Sequence, residues 1–276
     1  MDRTLADRFQ RASLGPRVLT AVVGIPLLFI ALWAGGAWWV GLTAAVAILG
    51  EREFVHLHVL PRSLNAAVFV LLVAGLVLFG GANDTLLGAV MLLWGIVIAA
   101  AAVWYFSPRT ADLRSQAVRA TLLGPVYLAA PMTLLARWRL EFTPWSVLAF
   151  LLVIWANDTA AYFVGIAAGR HKLAPRISPG KSWEGAVAGV VAGGLVGFIA
   201  APLLGMRPVL GLVFGVLTTI ASQIGDLFES AMKRKAGVKD SGGILPGHGG
   251  ILDRFDGILL AAPIAYVLVR LWATPP

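Results

Sequence analysis

Cysteine is absent from the 276 residues, which removes disulfides, zinc–thiolate sites and thiol nucleophiles from consideration. Charge is almost as scarce. Asp, Glu, Lys and Arg make up 13% of the chain, whereas a soluble globular domain carries about 25%. No internal repeat is visible, and that weighs against a transporter built from inverted halves. The formal net charge of +8 does not point to nucleic acid, because the positive residues sit beside apolar runs, where Lys and Arg set topology and attract anionic headgroups.

What the chain does have is hydrophobic residues, 59% of the total. They fall in repeated runs of about 17–25 residues, the length needed to cross a hydrocarbon core of about 30 Å. Backbone in lipid must satisfy its own hydrogen bonds, so these runs read as helices and not strands. The expected fold is all-α, a polytopic integral membrane protein of about nine transmembrane helices near 18–34, 36–50, 64–80, 86–106, 119–136, 145–168, 184–205, 208–228 and 255–272. The first run resembles a signal peptide, but further spans follow at once, so it reads as an uncleaved helix. With the N-terminus in the cytoplasm and the spans alternating, only Arg137, Arg139, Arg207 and Arg270 fall outside. All other Lys and Arg lie inside, and an error in one helix would destroy that bias. Residues 1–140 read as N-terminal transmembrane scaffold. Residues 141–276 read as the catalytic region, with polar cytosolic loops at 169–183 and 229–254.

Three groups of residues carry chemistry. Asn157 and Asp158 lie inside the sixth span, where an acid needs strong compensation; an interhelical hydrogen bond is the alternative. Gln223, Asp226 and Glu229 end the eighth span, and Asp226 has the alternative of a snorkelling carboxylate paired with Lys233 or Arg234. The loop from Ser230 to Asp256 ends in Asp253 and Asp256, three apart on one face at the positive end of the last helix. Helix capping is their alternative reading, stronger for Asp256 than for Asp253. Converging acids bind hard cations such as Mg²⁺, usually together with substrate phosphates. Pro246-Gly247-His248-Gly249-Gly250 offers backbone N–H groups to an anion, flanked by Lys233, Arg234, Lys239 and Arg254. His248 has three roles open to it: orienting a phosphate, acid–base chemistry, or capping a turn.

The pattern Ser230-x-x-Lys233-Arg234-x4-Lys239-Asp240-x5-Pro246-Gly247-His248-Gly249-Gly250-x2-Asp253-Arg254-x-Asp256 resembles the signature of the phosphatidate cytidylyltransferases, also called CDP-diacylglycerol synthases. Asn157–Phe163 and Ile177–Gly185 are also similar to that family, with Gly180 where a second basic residue is expected. The resemblance covers the C-terminal part of the chain; the first half matches only as generic spans. It implies transfer of the cytidylyl group of CTP to phosphatidate, giving CDP-diacylglycerol and pyrophosphate, with Mg²⁺ and a monovalent cation such as K⁺. It also implies a homodimer in the cytoplasmic (inner) membrane, among membrane lipids.

Within that scheme Asp226 and Asp253 are expected as the principal metal ligands, supported by Asp256. Lys233, Lys239, Arg254 and the Gly247, Gly249 and Gly250 amides would hold phosphate oxygens, with Arg234 and His248 close by. Ser178 and Lys181 from the other loop would complete the pocket at the lipid headgroup, and Asp158 would line it. Rivals are a CTP-dependent lipid kinase, an ion-coupled transporter using Asp158 and Asp226, and a CDP-alcohol phosphatidyltransferase. The last needs a denser run of aspartates than this sequence has.

Overall fold

The computed structural model describes residues 3–57 and 113–273. The spans expected near 64–80 and 86–106 lie outside the described residues. Seven α-helices are present among the described residues: α1 (Arg3–Ala34), α2 (Gly36–Leu57), α3 (Leu113–Glu141), α4 (Pro144–Ala168), α5 (Trp183–Ile199), α6 (Pro208–Lys235) and α7 (Leu252–Trp272). Of these, α4, α6 and α7 are long and apolar enough to cross a membrane, and Val18–Ala34 and α5 are shorter apolar helices. Two features depart from the expected picture. The 169–183 loop folds into an antiparallel hairpin of β1 (Lys172–Ala174) and β2 (Ser178–Ser182), so the chain is not purely helical. And α6 stays helical through Lys235, past the end of its apolar stretch, because Glu229 and Lys233 pair at i,i+4 on its polar end.

Helix starts follow local chemistry. Pro144 and Pro208 open α4 and α6, where a missing N–H costs nothing and the fixed φ suits a helix. The corner between α1 and α2 turns at Gly35 and Gly36, with φ of 62° and 45°. Arg139 closes that corner by donating from Nε to Leu32 O at 2.7 Å, a cation at the negative end of α1.

The interior is apolar and aromatic. Trp138 stands against Phe150, Phe214 and Tyr266, with ring centroids 5.2–6.3 Å apart, and its indole donates to Ser146 Oγ at 3.0 Å. Helices α5 and α6 pack backbone to backbone. Gly185, Gly189, Gly193 and Gly197 recur every fourth residue and are buried. A methyl group on Gly197 would lie 2.3 Å from Gly211 O, so only hydrogen fits there. Rows of aliphatic residues on α1 (Val18, Leu19, Val22, Val23) and α5 (Val187, Val191, Leu195) point outward, each more than half exposed. Lipid covers such rows without cost.

The helix ends sort into two groups. At one end Glu141 of α3 meets Arg137 (its own helix) and Arg270 of α7, at 2.5 and 2.9 Å. At the other end stand the hairpin, the C-termini of α2, α4 and α6, and the N-terminus of α7. Nearly all the chemistry-bearing residues are there.

Candidate active site

Helices α6 and α7 cross at glycines. A Cβ on Gly225 would fall 2.6 Å from Asp256 O, and one on Gly257 would fall 2.4 Å from Ser222 Oγ. This close approach brings the Asp226 segment of α6 against Asp256 of α7, and Asp158 of α4 lines the same cavity as Asp226. The hairpin delivers Lys181, whose Nζ lies 2.5 Å from Asp226 Oδ2. Both ends of the hairpin are fixed. His171 meets Glu184 through its ring (Nδ1 to Oε1, 2.6 Å) and through its main-chain N–H. Ser182 caps α5 by accepting from Gly185 N at 3.2 Å. Arg234, on the last turn of α6, donates from Nε to Ile177 O in the hairpin turn at 3.2 Å.

A cavity of about 70 Å³ lies between these elements, lined by Asn157, Asp158, Lys181, Ser182, Gln223 and Asp226. That is room for a few waters or a hydrated ion, not for a nucleotide. Its polar lining is ordered by amides. Gln223 Nε2 donates to Asn157 Oδ1 (2.8 Å) and Ala186 O (2.9 Å), and Asn157 Nδ2 donates to Asp158 Oδ1 (2.8 Å). The interhelical hydrogen bond that is the alternative reading of Asn157 is therefore present, and Asn157 in turn holds Asp158, which lines the cavity.

A second cluster surrounds Asp253. Lys233 Nζ stands 2.6 Å from Asp253 Oδ1 and 2.7 Å from Glu229 Oε2. Asp253 also accepts from Ser241 N (3.0 Å to Oδ2) and Gly250 N (2.8 Å). The bond to Gly250, three residues back, is the reciprocal half of a capping box. Capping thus falls to Asp253, whereas Asp256 lies further inside α7. Gly247 and Gly249 take φ of 76° and 82°, and Leu245 N donates to Gly249 O at 3.0 Å, so the glycines close a tight loop before the helix. Arg254 grips this loop, donating from Nε and Nη2 to His248 O at 2.9 and 2.7 Å.

The expected residues thus occupy one end of the molecule in two neighbouring clusters. Asp226 has Lys181, Asp158 and Asp256 about it; Asp253 has Lys233 and the loop amides. Glu229, one turn beyond Asp226 on α6, shares Lys233 with Asp253, which ties the clusters together. Among the described residues no three or more acids and histidines close into a ready ligand set. Lys239, Arg234 and Arg254 are exposed, and Ser178 pairs with Ala174 across the hairpin. The pairing of Asp226 with Lys233 is not seen. Those residues are seven apart on one helix, about 10 Å along its axis, while Glu229 is one turn away and takes the lysine. One residue that sequence reasoning missed joins the second cluster: Glu53 of α2 accepts from Ser241 Oγ and Leu252 N. The available signal was an acid at the end of an apolar run.

A polar end built from a signature loop, three grouped carboxylates and a lysine-bearing hairpin suits handling of phosphates. The profile of the cytidylyltransferase family matches residues 15–272. The chain belongs to the cytidylyltransferase family. A phosphatidate cytidylyltransferase of Brucella suis biovar 1 is 35% identical over 272 residues, covering 96% of each chain. One of Haemophilus influenzae is 35% identical, covering 90% of this chain and 95% of its own. One of Thermotoga maritima is 31% identical, covering 92% and 96%. Because the family match begins at residue 15, membership extends through α1 and α2, well beyond the C-terminal motifs.

Proposed function

We propose that the chain transfers the cytidylyl group of CTP to phosphatidate, forming CDP-diacylglycerol and releasing pyrophosphate. The observation that carries this reading is the meeting of Asp158, Lys181 and Asp226 in one cavity, next to the Asp253-anchored glycine loop, in a chain of this family. The phosphatidate phosphate is already an anion, so no strong base is needed to make it a nucleophile. A bond forms from its oxygen to the α-phosphorus of CTP, and the α–β bridging bond breaks toward pyrophosphate. Charge repulsion opposes that approach, so the protein's task is to neutralise and align.

The carboxylates that would hold Mg²⁺ are Asp226, Asp253 and Asp256; they stand in two neighbouring clusters, and the fit is one of donor type, oxygen ligands for a hard cation. Asp226 and Asp253 each already carry an ammonium group, Lys181 and Lys233, in the place of a cation. The chemistry a bound Mg²⁺ supplies at such carboxylates is neutralisation of phosphate charge. A monovalent cation such as K⁺ belongs to the same proposal. Lys239, Arg254 and the amides of Gly247–Gly250 hold phosphate oxygens of the nucleotide, and Ser178 and Lys181 meet the lipid headgroup. The protein works as a homodimer in the cytoplasmic membrane with nine spans. Its N-terminus and active site face the cytosol, an orientation supported by the distribution of Lys and Arg.

The test is to incubate purified protein with Mg²⁺, phosphatidate and CTP labelled at the α- or the γ-phosphorus. Label from the α-position in lipid, with stoichiometric pyrophosphate, is the expected result. Label from the γ-position in lipid would instead identify a lipid kinase.

A further inference from the structure

Among the described residues of α1 and α2, one buried carboxylate touches the signature loop. Glu53 of α2 is 4% exposed, and its Oε2 accepts from Ser241 Oγ at 3.1 Å and from Leu252 N at 2.9 Å. The loop main chain lies against it on both sides. A Cβ on Gly242 would come within 2.6 Å of Glu53 Oε1, and one on Gly250 within 2.4 Å of Oε2. The start and the end of the loop are therefore held on one carboxylate. The same two stretches also face Asp253, which takes the N–H groups of Ser241 and Gly250. Ser241 is shared, its hydroxyl on Glu53 and its amide on Asp253.

We propose that Glu53 is a positioning residue for the nucleotide-phosphate side of the site: from α2 it pins the neck of the 236–251 loop, so that the loop amides and the Asp253 carboxylate keep one arrangement. This rests on the proposed cytidylyl transfer. Glu53 touches no substrate and acts through Ser241, Gly250 and Leu252. Freed from it, the loop neck loses two charge-assisted hydrogen bonds at once, and the phosphate-binding amides lose their fixed spacing.

The test compares Glu53→Ala with Glu53→Gln, whose amide oxygen accepts the same two bonds. Glu53→Ala should raise the KM for CTP about tenfold, with the KM for phosphatidate little changed, and Glu53→Gln should restore the CTP value to within about threefold. Hydrogen exchange at the Gly250 and Leu252 amides should quicken in Glu53→Ala alone. A structural role would lower the active fraction and leave both KM values in place. If Glu53→Ala does not accumulate, Gly242→Ala serves, since its methyl pushes the loop off the carboxylate and should reproduce the CTP effect. Unchanged CTP KM with undiminished amide protection would overturn the proposal. If the parent protein puts no α-label into lipid, the cytidylyl-transfer reading fails, while the exchange measurement still decides whether Glu53 holds the loop.

Discussion

Lys233 lies between Glu229 and Asp253, 2.7 and 2.6 Å from their oxygens, and all three side chains are largely shielded from solvent. Shielding makes the arrangement sensitive to loss of one charge. Asp253→Asn leaves Lys233 with Glu229 alone, weakens the two amide bonds to the loop, and removes a proposed metal ligand. Turnover should fall by more than about a thousandfold with the protein still folded and membrane-inserted, as steady-state rates beside a size-exclusion profile will show. Activity within about tenfold of the parent would remove Asp253 from the site. Lys181→Ala is milder, because Asp226 keeps Ser230 within 3.4 Å and the hairpin keeps its anchors at His171 and Ser182. A rise of about tenfold in the apparent KM for phosphatidate, with kcat little altered, is expected. Unaltered kinetics would make the hairpin a mere connector. Which residues bear charge at this end was legible in the sequence, since an acid beside an apolar run is costly and stands out. Their partners were not. Lys181 reaches Asp226, and Glu53 reaches Ser241, only through tertiary packing over 45 and 188 residues of chain (Lys181–Asp226 and Glu53–Ser241).

Helices were the most legible elements, because hydropathy is a local property: α1 to α4, α6 and α7 each cover a run expected from it, while α5 ends at Ile199 and the rest of its 184–205 run turns into a 3₁₀ segment. The hairpin was not legible. Its strands have three and five residues, among prolines and glycines, too short to show alternation. The glycine period of α5 was present in the sequence but gives no hydropathy signal; it acts only when neighbouring helices close on it, α4 at Gly185 and Gly189 and α6, with Gly211 and Gly215, at Gly197. Gly197→Leu therefore places a large side chain where the α6 main chain already stands, 2.3 Å from a built Cβ. Backbone cannot rotate away as a side chain does. The two helices must separate, at a cost of about 3 kcal/mol or more. A thermal shift in detergent should show a large loss of stability, and it should precede any specific kinetic effect. By contrast Gly180→Ala, with nothing within 4 Å of its Cβ, should leave the melting temperature within error.

On the scale of the whole molecule the grouping of helix ends gives the proposed topology a sharp test at the shortest of the described α-helices. α5 has 17 residues, about 26 Å of helix, short of a hydrocarbon core of about 30 Å. A 3₁₀ turn, Ala201–Leu204, follows directly and adds about 8 Å, which brings the segment to a spanning length before the exposed Arg207. Arg176, exposed in the hairpin, precedes α5; Arg207 follows it. If α5 crosses the bilayer, the two positions lie on opposite sides, and the proposed orientation puts Arg176 in the cytosol. The absence of native cysteine makes this directly measurable. Arg207→Cys in intact cells should react with a membrane-impermeant maleimide, and Arg176→Cys should react only after the membrane is opened. Reaction of both in intact cells would mean that α5 does not cross. Reaction of Arg176→Cys alone would invert the protein and place the carboxylates, the glycine loop and the hairpin on the side away from cytosolic CTP, which the proposed reaction does not survive.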